Sequence, residues 1–293
     1  MSNSKFVLKK KKIKFSELFL KFIVYFSAIL TCLFLISIVL YIVCNGIGKI
    51  NWNFLTDTYS ESPDGKKGIL PMIINTLYIV IITMLISLPI GLGAAIYTTQ
   101  YSKNKNFKKL ISFSSDILSG IPSIIFGLFG YSIFCSKFKL GTSIIAGCIT
   151  MAICVLPTIF RTSEEALKSV PKDFFEAAVA LGARKLRIIF TIVIPSAMPQ
   201  IVTAISLCIG KILGESAILL YTVGMSYSMP KGFVSHIFVS GRTLTLHLYQ
   251  IARQATTGDS MSITFATASV LLILILILNL ITNLILKIFF QNR

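Results

Sequence analysis

The chain has 293 residues, of which 55% are hydrophobic and only 13% are charged, and its mean hydropathy is +0.82. Because an ordinary soluble domain is about one-quarter charged, this composition excludes a soluble globular protein. The formal net charge of +17 would suit a nucleic-acid partner, but the basic residues are distributed as in a membrane protein.

Six apolar segments are long enough to cross a bilayer, since about 20 apolar residues span its hydrocarbon core as a helix. They lie at 22–44, between 67 and 103, and at about 111–135, 140–160, 194–223 and 263–286. None shows the alternation of apolar and polar residues that strands of a membrane barrel require. The sequence therefore predicts an all-α membrane protein with six transmembrane helices.

The basic residues indicate the orientation of these spans. If the N-terminus is cytoplasmic, the outer segments carry only Lys49, Lys66, Lys67, Lys137, Lys139, Lys231, Arg242 and Arg253. Most other lysines and arginines then lie inside, as the positive-inside rule requires. We expect residues 1–21 and 287–293 in the cytoplasm. The first apolar run is too long for a signal peptide, so it is predicted to remain as a span anchored by anionic lipid.

No pattern for catalysis or metal binding is present. The chain lacks a Walker A loop and a nucleophile elbow, and its six cysteines have no CxxC spacing. His236 and His247 have no carboxylate or cysteine nearby in sequence, so surface or packing roles are predicted for both. We expect no cofactor and no metal site, and any energy source must be another protein.

The cytoplasmic loop 161–187 is patterned as two short helices. Ser163 is predicted to cap the first, whose opening turn carries Glu164 and Glu165, and Pro171 is predicted to end it.

The second short helix is predicted to begin near Asp173 and to stop at Gly182. Its apolar residues fall on one face at the helical spacing: Phe174, Ala177, Ala178 and Leu181. Amphipathicity alone leaves two interpretations open, a helix on the membrane surface or a helix that docks on a partner.

The segment EAAVALGARKLRIIFTIVIPSAMP resembles the EAA signature of ABC importer permeases. The matching positions are Glu176, Ala177, Ala178, Gly182 and Pro195. The resemblance implies the fold of a type I ABC importer permease with a cytoplasmic coupling helix that sits in a groove of a partner ATPase. The residues implied in coupling are Glu176, Ala177, Ala178, Leu181, Gly182 and Ala183. ATP and Mg²⁺ would be bound by that ATPase, so this chain would not be an enzyme.

Further segments resemble the PstA-type phosphate permeases over roughly residues 68–253. They are GIPSIIFGLFG from Gly120, LPTIFRTSEEALKSVP from Leu156, GKILGESAILLYTVG from Gly210 and TLTLHLYQIA from Thr243. The implied organisation is a first transmembrane helix at 22–44, an extracytoplasmic loop at 45–68, and a permease domain at 69–286 with its EAA loop at 161–199. The implied partners are a PstC-type companion permease in a heterodimer, a dimeric PstB-type ATPase and an extracytoplasmic PstS-type phosphate-binding protein, with no nucleic acid.

Two charges in the fifth span, Lys211 and Glu215, are one helical turn apart and are predicted to share a face. Burying each charge costs on the order of 3 kcal/mol, so a functional or structural reason for both is expected. In the functional hypothesis they line the translocation path: Lys211 attracts the phosphate anion, and Glu215 accepts a proton from hydrogen phosphate or restrains the lysine. The alternative is a neutralising pair that locks helices together. The family usually has arginine at the position of Lys211. Lysine lacks the guanidinium group with which arginine makes a two-pronged contact to phosphate.

Three functions remain open at this stage: a phosphate permease, a permease for another oxyanion such as molybdate or sulfate, and a channel. The EAA signature disfavours the channel, which has no use for an ATPase-docking loop. The outer segment 224–262 is predicted either to receive a binding protein or to fold back over the bundle, and Asp116 is predicted at the cytoplasmic interface.

Overall fold

The computed structural model describes residues 15–60, 65–227, 229, 232–254 and 258–290. These residues are mostly helical and form no strand beyond an isolated antiparallel bridge between Tyr59 and Lys67. The helices are α1 (Phe15–Gly46), α2 (Trp52–Thr56), α3 (Leu70–Ile96), α4 (Lys105–Gly120), α5 (Ser123–Gly130), α6 (Ile144–Ser169), α7 (Lys172–Ala180), α8 (Lys185–Ile188), α9 (Ile194–Gly214), α10 (Ala217–Thr222), α11 (Phe233–Ile237), α12 (Leu244–Gln254) and α13 (Gly258–Phe290). The predicted all-α class is confirmed.

Three π-helical segments extend or join these helices. Tyr97–Tyr101 continues α3, Tyr131–Lys137 continues α5, and Ile189–Val193 joins α8 to α9. The three segments therefore belong to the same long spans as the helices they continue.

Within the described residues, five helical segments are long and apolar enough to cross a membrane: Ser16–Lys49, Leu70–Tyr101, Ile144–Ser169, Lys185–Gly214 and Ser260–Ile285. A sixth crossing results if Lys105–Gly120 and Ser123–Lys137 are taken together, but these two are bent by 97°. The third predicted span, at about 111–135, which Asp116 and Pro122 interrupt in the sequence, is therefore sharply bent at Pro122. Ile121 is extended because it precedes Pro122, and this ends α4.

The centre of the bundle is formed by α3, α6 and α9. Their buried side chains form one cluster that includes Ile79, Met151, Val155 and Ile212. In contrast, α1 packs mainly against α13 at the edge of the bundle. Its apolar side chains are otherwise exposed, as expected for a helix that faces lipid or another subunit.

Two glycines in the spans allow close packing between helices. A Cβ atom on Gly130 would lie 2.2 Å from Oγ1 of Thr150 on α6, and one on Gly91 would lie 2.7 Å from Cγ2 of Ile159. Gly93 and Gly120 have no atom within 4 Å of such a Cβ. Tight packing therefore explains the first two glycines and not the last two.

The first short helix predicted in the cytoplasmic loop is not a separate helix, because its residues form the end of α6. Helix α6 continues without a break to Ser169, so Ser163 lies in its interior and caps nothing. The Ser163 side chain is buried, and its Oγ has no hydrogen-bond partner. The neighbouring Phe160 and Leu167 are also buried in one cluster, and this burial outweighs the local preference of serine for a helix start.

Candidate functional site

Helix α7 has the boundaries that the loop sequence predicts. It follows Pro171 and ends at Ala180, and Gly182 has a φ of +77°. The amide of Gly182 donates to the carbonyl of Val179 at 2.9 Å, and that of Ala183 donates to Ala178 at 3.0 Å. This pair of bonds is a Schellman motif, whose left-handed residue favours glycine. The predicted helix and its glycine stop are confirmed.

The predicted single apolar face of α7 is divided between two surroundings. Ala178 is buried against the protein, whereas Phe174 is 52% and Leu181 is 88% exposed. Ala177 is also exposed and lies between these two on the helix surface. Phe174, Ala177 and Leu181 therefore form an outward apolar face, which we call the α7 outer face.

Glu176 lies on another side of α7. It lines a cleft of about 280 Å³ between α7 and the ends of two spans, together with Gln100 and Lys168. The six residues that the EAA resemblance implies thus occupy four surroundings: the outer face, the cleft, the buried interior at Ala178 and the turn at Gly182. A partner that docks on one surface of α7 therefore does not contact all six residues.

The packing of α7 connects it to the fifth span. Ala178 belongs to one buried cluster with Ile188, Ile189 and Val193. These residues lead directly into α9, which has 21 residues and is therefore about 30 Å long. Lys211 lies near the far end of this helix. Helix α7 is thus packed on the segment that continues into the helix that carries Lys211.

Lys211 contacts a backbone carbonyl on the neighbouring helix. Its Nζ donates to the carbonyl oxygen of Cys154 at 3.4 Å. Cys154 lies ten residues after the start of α6, or about 15 Å along it, which is half of the ~30 Å hydrocarbon core. In this chain Lys211 is nevertheless exposed. The ammonium group therefore bonds to the middle of a spanning helix and faces space that this chain does not fill.

Glu215 lies one turn after Lys211, directly after the residue where α9 ends. Helix α9 ends at Gly214, and Glu215 has extended backbone angles, with φ of −82° and ψ of 123°. Its Oε1 accepts from the amide of Ala217 at 3.0 Å and from that of Ile218 at 3.5 Å. In the part of the chain that the structure describes, no ion pair joins Glu215 to Lys211. The carboxylate instead caps α10.

The fifth span breaks where α10 packs against α5. A Cβ on Gly127 would lie 3.0 Å from the carbonyl oxygen of Ala217 and 3.2 Å from Cα of Ile218. This close approach holds α10 in a new direction beyond Glu215. The predicted continuous segment at 194–223 is therefore a spanning helix followed by a separate short helix.

The sequence also matches a family of known proteins. The model of the family described as "Binding-protein-dependent transport system inner membrane component" matches residues 87–292. The chain belongs to this family. The permease is therefore a multi-pass protein of the inner membrane, and its family implies an ATPase and a substrate-binding protein as partners.

Curated relatives make the assignment more specific. The permease is 33% identical over 255 residues to the probable ABC transporter permease protein YqgI of Bacillus subtilis, covering 84% of this chain and 86% of that protein. It is 32% identical over 273 residues to the phosphate transport system permease protein PstA of Haemophilus influenzae, covering 92% of each. It spans only 34% of the PstA homolog of Mycoplasma pneumoniae, with 34% identity over 236 residues. The permease is thus of the PstA type.

A solved structure supports the fold. The permease matches a chain of the bacterial alginate ABC transporter, solved in complex with an alginate pentasaccharide-bound periplasmic protein, with a TM-score of 0.65 and 14% identity. The match covers 92% of this chain and 93% of that one. The fold is that of a type I ABC importer permease, as the sequence predicts.

The outer segment of the permease folds back over the bundle. The amide Nδ2 of Asn75 donates to the carbonyl of Arg242 at 3.2 Å, and Oγ1 of Thr76 accepts from the amide of Leu244 at 3.0 Å. His236 lies 2.6 Å from Oδ1 of Asn75. Of the two possibilities that the sequence leaves open, folding back is confirmed for the described part, and both histidines have packing roles.

A buried aromatic cluster in this segment could not be found by sequence reasoning. The guanidinium of Arg242 lies 3.9 Å from the ring centroid of Tyr227, which stacks on Tyr59 at 4.9 Å. His247 meets the Tyr59 ring edge-on at 4.6 Å. Arg242 reads as an outer-loop charge, yet it is only 4% exposed. Only tertiary contacts bring Tyr59 to Tyr227 and His247, which are far away in the chain.

Proposed function

We propose that the chain is one of two permease subunits of an ATP-driven importer that moves inorganic phosphate into the cell. The observation that carries the proposal is Lys211, a cation bonded to the middle of a spanning helix on a side of the chain that faces unfilled space. A charge in a transmembrane helix is costly and commonly marks the path of a substrate or ion. The similarity to proteins named PstA supports phosphate as the anion.

Lys211 serves as the anion-attracting group of the path. A lysine ammonium has three N–H donors, and the carbonyl of Cys154 takes one of them. The remaining donors are directed to the anion as it passes between this subunit and its companion. A single lysine holds phosphate as a point charge and not through a two-pronged contact, which allows the anion to leave.

Glu215 keeps α10 in place beside the path. Its Oε1 accepts hydrogen bonds from two backbone amides. The carboxylate therefore caps α10 and does not restrain Lys211. Proton acceptance from hydrogen phosphate remains the second role for this residue, and a substitution that preserves the cap separates the two.

The loop at 161–199 couples transport to ATP hydrolysis. The α7 outer face docks on the partner ATPase, which binds ATP and Mg²⁺, so that this chain performs no catalysis. Closure of the ATPase dimer pushes α7, and the buried contacts of Ala178 with Ile188 and Val193 carry the motion into α9. The two permeases then rock around a shared path in alternating access.

The remaining parts of the assembly follow from this arrangement. A PstC-type subunit forms a heterodimer with this chain, a PstB-type dimer supplies the ATPase, and a PstS-type protein delivers phosphate on the outer side. An even number of crossings, with the bent pair counted as one span, puts both termini on the same side, and the distribution of basic residues supports the cytoplasm as that side. The permease domain occupies 69–286, after the first transmembrane helix at 22–44 and the outer loop at 45–68.

The decisive test is uptake of radiolabelled phosphate into vesicles that contain this chain, the companion permease, the ATPase and the binding protein. Phosphate should enter only with ATP, and excess sulfate or molybdate should not compete. Entry of labelled sulfate or molybdate in place of phosphate would establish the other-oxyanion function. ATP-independent ion flow would indicate the channel.

A further inference from the structure

Helix α4 lies at 97° to the half of the third span that follows it, Ser123–Lys137. Membrane-spanning helices are tilted on average by about 20° from the bilayer normal. If Ser123–Lys137 crosses the membrane, α4 therefore lies close to the membrane plane. The turn that produces this geometry is the extended pair Ile121 and Pro122.

One side of α4 packs on the bundle. Ser115 is buried, and Ile111 and Leu118 pack against the two main clusters of the core. The adjoining side is apolar and exposed: Phe107 is 41%, Leu110 59%, Phe113 62% and Ile117 51% exposed. These four residues follow the three- and four-residue spacing of one helix face.

The third side of α4 is polar. Lys105 and Lys109 are exposed, and Asp116, the only acidic residue of the helix, forms an ion pair with Arg161 of α6. This pairing neutralises the single negative charge on α4. The helix therefore presents positive charge beside its exposed apolar face.

We propose that α4 is an in-plane anchor that binds anionic phospholipid. Phe107, Leu110 and Phe113 enter the acyl chains of the inner leaflet, and Lys105 and Lys109 contact the phosphate-containing headgroups. An amphipathic helix in the membrane plane with lysines beside its apolar face has the properties of an interfacial helix, and each nearby lysine adds attraction to an anionic surface.

The contacts near the start of α4 indicate that the helix lies at the inner leaflet. Nζ of Lys185, at the end of the coupling loop, donates to the carbonyl of Gln100 at 2.5 Å and lies 4.5 Å from the Tyr101 ring centroid. The start of α4 is thus on the same side as the coupling loop.

Photocrosslinking identifies what covers the apolar face. Benzoylphenylalanine replaces Phe113 in the full chain, assembled with its companion permease and ATPase in nanodiscs of equal parts phosphatidylglycerol and phosphatidylcholine. We expect lipid adducts, with phosphatidylglycerol in at least about fivefold excess, because about 1 kcal/mol for each lysine near the surface corresponds to about fivefold. Adducts with the ATPase or the companion permease would overturn the proposal, as would equal yields of the two lipids or no adduct at all.

Two lysine variants test the charged part of the site. Lys105→Gln with Lys109→Gln should bring the phosphatidylglycerol excess down to about onefold, that is, to the equal composition of the nanodisc. The matched control is Lys137→Gln with Lys139→Gln at the other end of the same broken span, which should leave the excess unchanged. If both double variants lower the excess alike, α4 has no specific headgroup site and the proposal fails.

Discussion

The ammonium group of Lys211 is bound to the carbonyl of Cys154 on a neighbouring helix, at 3.4 Å, and not to the nearby carboxylate of Glu215. Pro157 lies three residues after Cys154. A proline inside a helix cannot donate to the carbonyl four residues before it and disturbs the hydrogen bonds of that turn. Pro157 therefore leaves the carbonyl of Ile153, next to Cys154, without its helical donor in the turn where Lys211 binds.

Loss of the charge at position 211 should stop transport. We expect Lys211→Gln to lower phosphate uptake in reconstituted vesicles by at least about tenfold, because a hydrogen bond to a charged group contributes about 1.5–3 kcal/mol. Co-purification with the ATPase should be unchanged. The control is Lys211→Arg, which keeps the charge and should retain uptake. Normal transport by Lys211→Gln would contradict a role in the path.

Two substitutions at Glu215 separate its cap from proton transfer. Glu215→Gln keeps a side-chain oxygen for the amides of Ala217 and Ile218, whereas Glu215→Ala loses the cap at a cost of about 0.5–2 kcal/mol. We expect the alanine variant to melt at lower temperature and the glutamine variant to melt like the parent. If the stable glutamine variant cannot transport phosphate, the carboxylate also acts as a proton acceptor.

The two sides of α7 should respond differently to loss of apolar surface. Phe174→Ser with Leu181→Ser removes the α7 outer face, and we expect it to reduce co-purification of the ATPase severalfold. Val179 is 51% exposed on the opposite side of the helix, and Val179→Ser is the matched control. Equal loss of ATPase with both variants would show that docking does not use the outer face.

Changes in the α7 motif itself should uncouple the ATPase. Glu176→Lys reverses a charge in the cleft shared with Gln100 and Lys168. Gly182→Asp places a Cβ at a φ of +77°, where strain costs on the order of 1–3 kcal/mol. We expect ATP hydrolysis to continue while uptake is lost, measured on the same vesicles. Wild-type uptake by both variants would argue against coupling through this loop.

The outer segment should lose stability in acid. Burial, aided by the charge of Arg242, lowers the pKa of His247 from 6.5 to about 3. The unfolded state therefore takes up the proton first as pH falls below 6.5, and stability is lost from there down to about pH 3, by on the order of 1 kcal/mol per pH unit. His247→Phe should flatten the decrease in melting temperature between pH 7.5 and 5.5.

His236 contributes in the same direction, because burial also lowers its pKa. The single variant should therefore leave a smaller slope, which His236→Asn removes in the double variant. An unchanged pH profile in His247→Phe would show that this ring is accessible to protons in the folded protein.

Local sequence determined the elements whose cause is local. Long apolar runs produce spanning helices, since lipid leaves no other partner for the backbone. Pro171 and Gly182 set the limits of α7, because one cannot continue a helix and the other adopts a positive φ. The EAA segment alone was specific enough to indicate the importer family that comparison with known proteins establishes.

Tertiary packing decided the rest. Ser163 has the chemistry of a cap but lies inside α6, because burial of its neighbours stabilises a continuous helix. The spacing of Lys211 and Glu215 does not produce an ion pair, because α9 ends at Gly214 and the Glu215 carboxylate accepts from amides of α10. Arg242 reads as a surface residue and the sequence leaves a surface or a packing role open for His247, yet contacts with Tyr227 and Tyr59 bury both. Hydrophobic periodicity predicts which residues of a helix share a face, but the element that packs against each face depends on contacts between distant parts of the chain.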